Sequence, residues 1–221
     1  MNDVGAHLGG ARRAVFLPFA RADHAEYAAL MAERMEHIDV TMVSAHAAPV
    51  PAVAVEESDA ILVGGGNTFR LLRALRQYAL LDVIRARVAA GVPYFGASAG
   101  SNVACPTIRT TNDMPIVETR TFDALNLVPF QINPHYVDPP PPELRAGETR
   151  VERLREFLEE NDVTVIGLRE PSWVVVKDDR MTLHGAGGAV LFQRGREPES
   201  LSSGSDVSAL LAAPARFDRA G

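Results

Sequence analysis

At 221 residues, 47% of them hydrophobic and 23% charged, the chain is long enough for one compact domain, 1–221, to bury a full core. Its formal charge of -6, with no run of Lys or Arg, argues against nucleic acid and membrane surfaces as partners, so an acidic substrate would need individual arginines to hold it. The single cysteine, Cys105, cannot form an internal disulfide, and the opening residues lack the basic-then-apolar order of a secretory signal, which points to a reducing, cytoplasmic setting.

After a polar, Gly-rich start, AVFLPFA from Ala14 reads as a buried strand. A helix should follow, with Asp23 as N-cap and Tyr27, Leu30, Met31, Met35 and Ile38 on its apolar face. VTMVSA from Val40 and AILVGGG from Ala60 are two more strands. Residues 68–90 carry one or two helices, with Leu71, Leu72, Leu75, Leu81, Val83, Ile84 and Val88 inward, and VPYFGAS from Val92 is the next strand. Strands alternating with helices predict an α/β fold: a mainly parallel sheet flanked by helices, with ligands beyond the carboxyl ends of its strands. A helix over about 148–160 should bury Val151, Leu154, Phe157 and Leu158. VTVIGL, SWVVVKDD, RMTLHGAGG and AVLFQRG then follow with no room for helices and read as an antiparallel C-terminal extension. Residues 1–13 and about 202–221 are expected to be loosely held.

GASAG, residues 96–100, has the G-x-S-x-G spacing where a strand gives way to a helix start. There Ser98 would project above the sheet edge, with helix-start amides facing a developing oxyanion; a turn built only for close packing is the competing reading. A serine needs a base. Of the six histidines, His7, His24, His37 and His46 read as solvated, and His184 as a turn residue. His135, in QINPHY just past a short strand and stiffened by Pro134, is the best base available. Two acids compete to orient it: Asp113 in TTNDMP and Glu170 in LREPSW. Chain order does not decide between them, because both orders occur on unrelated folds. GGGN, residues 64–67, would expose amides opposite Ala99, suiting an oxyanion hole at Gly65, Gly66 and Asn67. A dinucleotide loop fails on spacing, since its third glycine would fall at Phe69. Cys105, two helical turns past Ser98, should face the core, and no motif suggests a metal or an organic cofactor.

The runs GASAGSNVACPTIRTTNDMPIVE and FDALNLVPFQINPHY, with VGGGNTFRLL before and GETR and IGLREPSW after, resemble the peptidase E family of α-aspartyl dipeptidases over roughly residues 14–195. The resemblance implies a flavodoxin-like, class I glutamine amidotransferase-like sheet. It also implies a serine peptidase that removes aspartate from the N-terminus of dipeptides without a cofactor. Ser98, Asp113 and His135 fall on the family's three essential positions, and Glu170 falls on a glutamate proposed as the triad acid. In GETR, Arg150 falls on an arginine associated with the substrate's aspartyl carboxylate, a role that suits a planar guanidinium. Three departures stand out: the family's usual first strand and helix lack a counterpart, the proline run shifts GETR by one position, and Ala97 replaces a bulky aromatic. The last two point to a loosened or re-aimed specificity pocket, so β-aspartyl and general small dipeptides stay open as substrates, as does a non-catalytic small-molecule binder. Assembly, a homodimer included, is left open.

Overall fold

A computed structural model describes residues 7–8, 10–36, 40–144 and 146–218. The chain divides into two compact units, one running to Ile108 and including Asp113–Leu127, the other formed by Arg109–Asn112 and everything from Val128.

The first unit opens with β1 (Arg13–Leu17), buried after its first residue, and α1 (His24–Met35). Asp23 caps α1, its side chain accepting the Glu26 N–H at 2.8 Å, as the sequence predicts. Tyr27 and Met35 are buried, Leu30 and Met31 half-buried. His37 and Ile38 lie outside the described residues. β2 (Thr41–Ser44) and β3 (Ala60–Val63) follow, with α2 (Pro51–Glu56) between them. α2 goes unrecognised in the sequence because six residues are too few for a helical period to register. It nevertheless buries Ala54 and Val55.

Residues 68–90 form two helices, α3 (Thr68–Gln77) and α4 (Leu80–Ala89). They meet at Ala79, whose φ of 53° breaks the helical path. Leu71, Leu72, Leu75, Leu80 and Ile84 are fully enclosed, and Leu81, Val83 and Val88 pack at the edge of the same cluster. β4 (Tyr94–Gly96) and the short α5 (Ala99–Ala104) complete the unit. Its sheet runs β2-β1-β3-β4 with every pair parallel, so the loops after β1, β3 and β4 leave from one edge.

In the second unit, β5 (Gln131–Asn133) pairs parallel with β6 (Val165–Leu168), and α6 (Arg150–Glu160) lies between them in the chain. Thr149 caps α6 through a reciprocal capping box with Glu152. Leu154 and Leu158 are buried with Val165 and Phe192, and Val151 and Phe157 pack against them. The four late strands depart from a simple antiparallel succession. β6 pairs directly with β9 (Ala189–Phe192), and β9 with β10 (Glu199–Leu201), both antiparallel, while β7 (Trp173–Lys177) and β8 (Arg180–His184) form a separate two-stranded ribbon. Burial explains the division: VIGL of β6 is enclosed throughout, whereas no residue of β7 is buried.

The segment after Ser202 is tied down more than its composition suggests. Val207 and Leu210 are buried, the Val207 N–H donates to Met181 O at 2.9 Å, and Asp162 and Arg216 exchange backbone bonds at 2.8 and 3.0 Å. Among the described residues, no helix is long and apolar enough to cross a membrane.

Candidate active site

Ser98 stands between β4 and α5 at φ 54°, ψ -105°, a conformation that side chains with a Cβ rarely adopt. Such strain, on the order of 1–3 kcal/mol, persists only where the surroundings hold it. Here the Ala97 N–H donates to Val63 O at 3.0 Å, and the Ser101 hydroxyl to Gly96 O at 2.8 Å. The Tyr94 hydroxyl donates to Gly100 O at 2.7 Å. Desolvation raises the Tyr94 pKa, so the phenol stays a protonated donor. α5 approaches the sheet so closely that a Cβ on Gly100 would collide with the Val63 carbonyl, which explains why the turn ends on glycine.

The glycine loop after β3 lies against this turn. A Cβ on Gly65 would sit 3.1 Å from Ser98 Cβ and 3.8 Å from its Oγ, so the bare backbone of Gly65 faces the serine. Gly66, at φ 141°, passes so near Ala20 that a Cβ would lie 2.5 Å from the Ala20 carbonyl oxygen. Asn67 caps α3: its Oδ1 accepts the Arg70 N–H at 3.0 Å and its Nδ2 donates to Met114 O at 2.9 Å. Its side chain is therefore engaged in holding the loop. Asp113 joins the same network, its Oδ2 accepting the Thr68 N–H at 2.8 Å and the Thr68 hydroxyl at 2.6 Å. Ala99 is buried at the first position of α5, where a helical N–H has no intrahelical acceptor.

The second unit brings His135 and Glu170 together. Each lies two residues beyond the end of its strand, β5 or β6, and the parallel register Asn133↔Gly167 sets the two loops side by side. His135 Nδ1 is 2.6 Å from Glu170 Oε1. His135 also has a positive φ of 54°, which turns the chain sharply after Pro134. β5 is braced along one side: Thr110 Oγ1 donates to Ile132 O, Asn133 Nδ2 donates to Thr110 O and Asn112 Oδ1, and Asn112 Nδ2 donates to Pro134 O, all at 2.8–3.0 Å. Thr110, Asn112 and Asn133 escape sequence reasoning because their partners are distant along the chain. Arg169 and Asp138 escape it too, although Arg169 precedes Glu170 in LREPSW and Asp138 lies three residues after His135; their side chains form a paired ion contact.

Arg150 is the first residue of α6 and half-buried, held in place by the Thr149 cap. Cys105 is buried and donates to Ser101 O at 3.4 Å, in keeping with a core thiol. His24 and His46 are half-buried and make contacts of their own. Their rings meet at 5.9 Å, Phe19 lies edge-on to His24 at 5.3 Å, and His46 Nδ1 is 2.6 Å from Ser44 Oγ. Burial, then the neighbouring His46, lowers the pKa of His24. His7 is exposed, and His184 stacks on Trp173 beside Thr182 Oγ1.

The chain matches the model of Peptidase family S51 over residues 3–184. It is 50% identical over 218 residues to peptidase E of Streptomyces coelicolor, covering 99% of this chain and 90% of that protein. Peptidase E of Escherichia coli O6:K15:H31 is 44% identical over 204 residues, 91% of this chain and 89% of the relative. Among solved structures, a peptidase from an acI-B1 Actinobacterium shares the fold with a TM-score of 0.69 at 15% identity, over 93% of this chain and 89% of that one. A match spanning most of the chain, with half of the residues shared with one relative, goes well beyond likeness of fold: this protein belongs to peptidase family S51 and is a serine peptidase.

Proposed function

We propose that the protein is a dipeptidase that hydrolyses Asp-X dipeptides through an acyl-enzyme, with Ser98 as nucleophile and His135 as base. The contact between His135 Nδ1 and Glu170 Oε1 at 2.6 Å carries this reading. With Nδ1–H donated to a carboxylate, Nε2 is left as the lone-pair nitrogen that takes a hydroxyl proton. Glu170 then steadies the imidazolium that forms. Asp113 fixes the start of α3 and the glycine loop ahead of it through Thr68.

In the first step, His135 Nε2 accepts the Ser98 proton as Oγ attacks the carbonyl carbon of the N-terminal aspartyl residue. Backbone amides at Gly65, Gly66 and Ala99 hold the oxyanion, and Asn67 keeps their loop in place. Collapse breaks the peptide bond, His135 gives its proton to the leaving amine, and an aspartyl ester remains on Ser98. Water, deprotonated by His135, releases aspartate and restores the serine. Arg150 grips the aspartyl carboxylate with two parallel hydrogen bonds. Support for the Asp-X substrate comes from the relatives named peptidase E and from Arg150 in GETR.

Purified Ser98→Ala enzyme should lose Asp-Leu turnover by orders of magnitude while its circular dichroism stays that of the wild type. Unchanged hydrolysis by that variant removes the mechanism.

A small residue, Ala97, stands directly before the nucleophile, and this favours a second reading in which the pocket is wider. Turnover of Asp-X, β-Asp-X and Leu-X dipeptides, compared with wild-type and Arg150→Ala enzyme, separates the two. The first reading expects a selective loss on Asp-X, and the second expects comparable rates on all three.

A further inference from the structure

His135 and Glu170 sit on separate loops, with side chains 56% and 66% exposed. An ion pair this open contributes only about 0–1 kcal/mol and must overcome the freedom of two side chains, so it cannot hold the loops in register by itself. A second connection between the same loops is much better built. Arg169, the residue before Glu170, donates from Nε to Asp138 Oδ2 at 2.7 Å and from Nη2 to Asp138 Oδ1 at 2.8 Å. Asp138 lies three residues beyond His135, so the fork bridges the same two loops as the imidazole and Glu170. The guanidinium is itself fixed: Nη1 donates to Ala189 O at 3.1 Å, Nη2 reaches Ser200 Oγ at 3.4 Å, and its carbon lies 5.8 Å from the centroid of the Tyr136 ring. Between the two bridges, the Tyr136 N–H donates to Leu168 O at 2.8 Å.

We propose that Arg169 and Asp138 are positioning residues for the peptidase reaction, a bidentate clamp that sets the His135 loop against the Glu170 loop so that the imidazole keeps one orientation. The inference rests on His135 being the base. The geometry favours positioning over a general stabilising role, because the clamp ties together the two loops bearing the proposed base and its acid. Both arms of the fork are used, so lysine, a point donor, cannot replace Arg169.

The test measures kcat and KM for Asp-Leu, with thermal melting, in Asp138→Asn, Arg169→Lys, Glu170→Gln, His135→Ala and the double variant Asp138→Asn/Glu170→Gln. Asp138→Asn and Arg169→Lys are each expected to lower kcat about tenfold to a hundredfold, the scale of a small misplacement of a reacting group, with KM nearly unchanged. In the Glu170→Gln background, Asp138→Asn should cost little more, since the carboxylate it positions is gone. An unchanged kcat in Asp138→Asn beside an inactive His135→Ala enzyme overturns the clamp, and so does an equal loss in both backgrounds. Asp138 is exposed, so its asparagine variant is not expected to unfold, and melting identifies any general loss of structure. Full activity in His135→Ala would instead overturn the reading of His135 as base, and the clamp with it.

Discussion

Thr68 gives both its backbone N–H and its hydroxyl to one oxygen of Asp113, at 2.8 and 2.6 Å. The carboxylate thus caps α3 from outside the helix, while Asn67 caps it from within by accepting the Arg70 N–H. The glycine loop enters α3 between these two anchors, and Gly65 reaches Ser98 from it.

Asp113→Ala should therefore act on stability as well as turnover. It leaves a buried N–H and hydroxyl without this acceptor, at a cost of about 1–3 kcal/mol. Urea unfolding should register the loss, and kcat on Asp-Leu should fall as the glycine loop loosens. Thr68→Val keeps the backbone N–H bond to Asp113 and removes the hydroxyl, which donates to Asp113 and accepts from Asn102 Nδ2 at 3.4 Å, and should lower both stability and kcat.

At Ser98 the strained backbone predicts different stability effects for two inactive variants. Ser98→Gly relieves the φ of 54° and should stabilise the fold by about 1 kcal/mol after glycine's entropic cost is subtracted. Ser98→Ala keeps the Cβ and the strain, so its urea midpoint should stay near the wild type. Equal midpoints for the two variants would mean that the turn stores no strain.

Glu170→Gln keeps the shape of the orienting side chain and removes its charge. The amide can present its N–H₂ to Nδ1 and favour the wrong imidazole tautomer, which in such triads lowers kcat by about 10⁴. A loss of at least about 10² on Asp-Leu, with the fold intact by circular dichroism, is the expected result. Asp113→Asn assayed beside it separates the two acids: a much larger fall in kcat is expected for Glu170→Gln.

The clamp also has a pH signature. Hydrogen bonding from Arg169 holds the Asp138 carboxyl below its ordinary pKa of 3.8, against a smaller opposing effect of burial. A carboxyl depressed in the folded state adds stability above its unfolded pKa and loses it as pH falls through the folded value. Wild type should thus be more stable than Asp138→Asn at neutral pH, and the difference should shrink as pH drops below about 4. Thermal melting of both proteins from about pH 3 to about pH 7 checks the sign.

Much of this protein follows from local sequence. The burial of AVFL and AILV, the Asp23 cap, the two leucine-rich helices after Thr68 and the serine on its strand-to-helix turn all depend on neighbours within a few residues, whose chemistry can be read in order. Tertiary structure decided what links distant parts of the chain. Local motifs leave Asp113 and Glu170 as alternative partners for His135, and the parallel pairing of β5 with β6 accounts for the contact that Glu170 makes with the imidazole. The same pairing joins Arg169 to Asp138, and the direct contact of β6 with β9 leaves β7 and β8 as a separate ribbon. Strand pairing is settled by which surfaces can be buried together across the whole unit, and a short apolar run is compatible with several partners until that packing selects one.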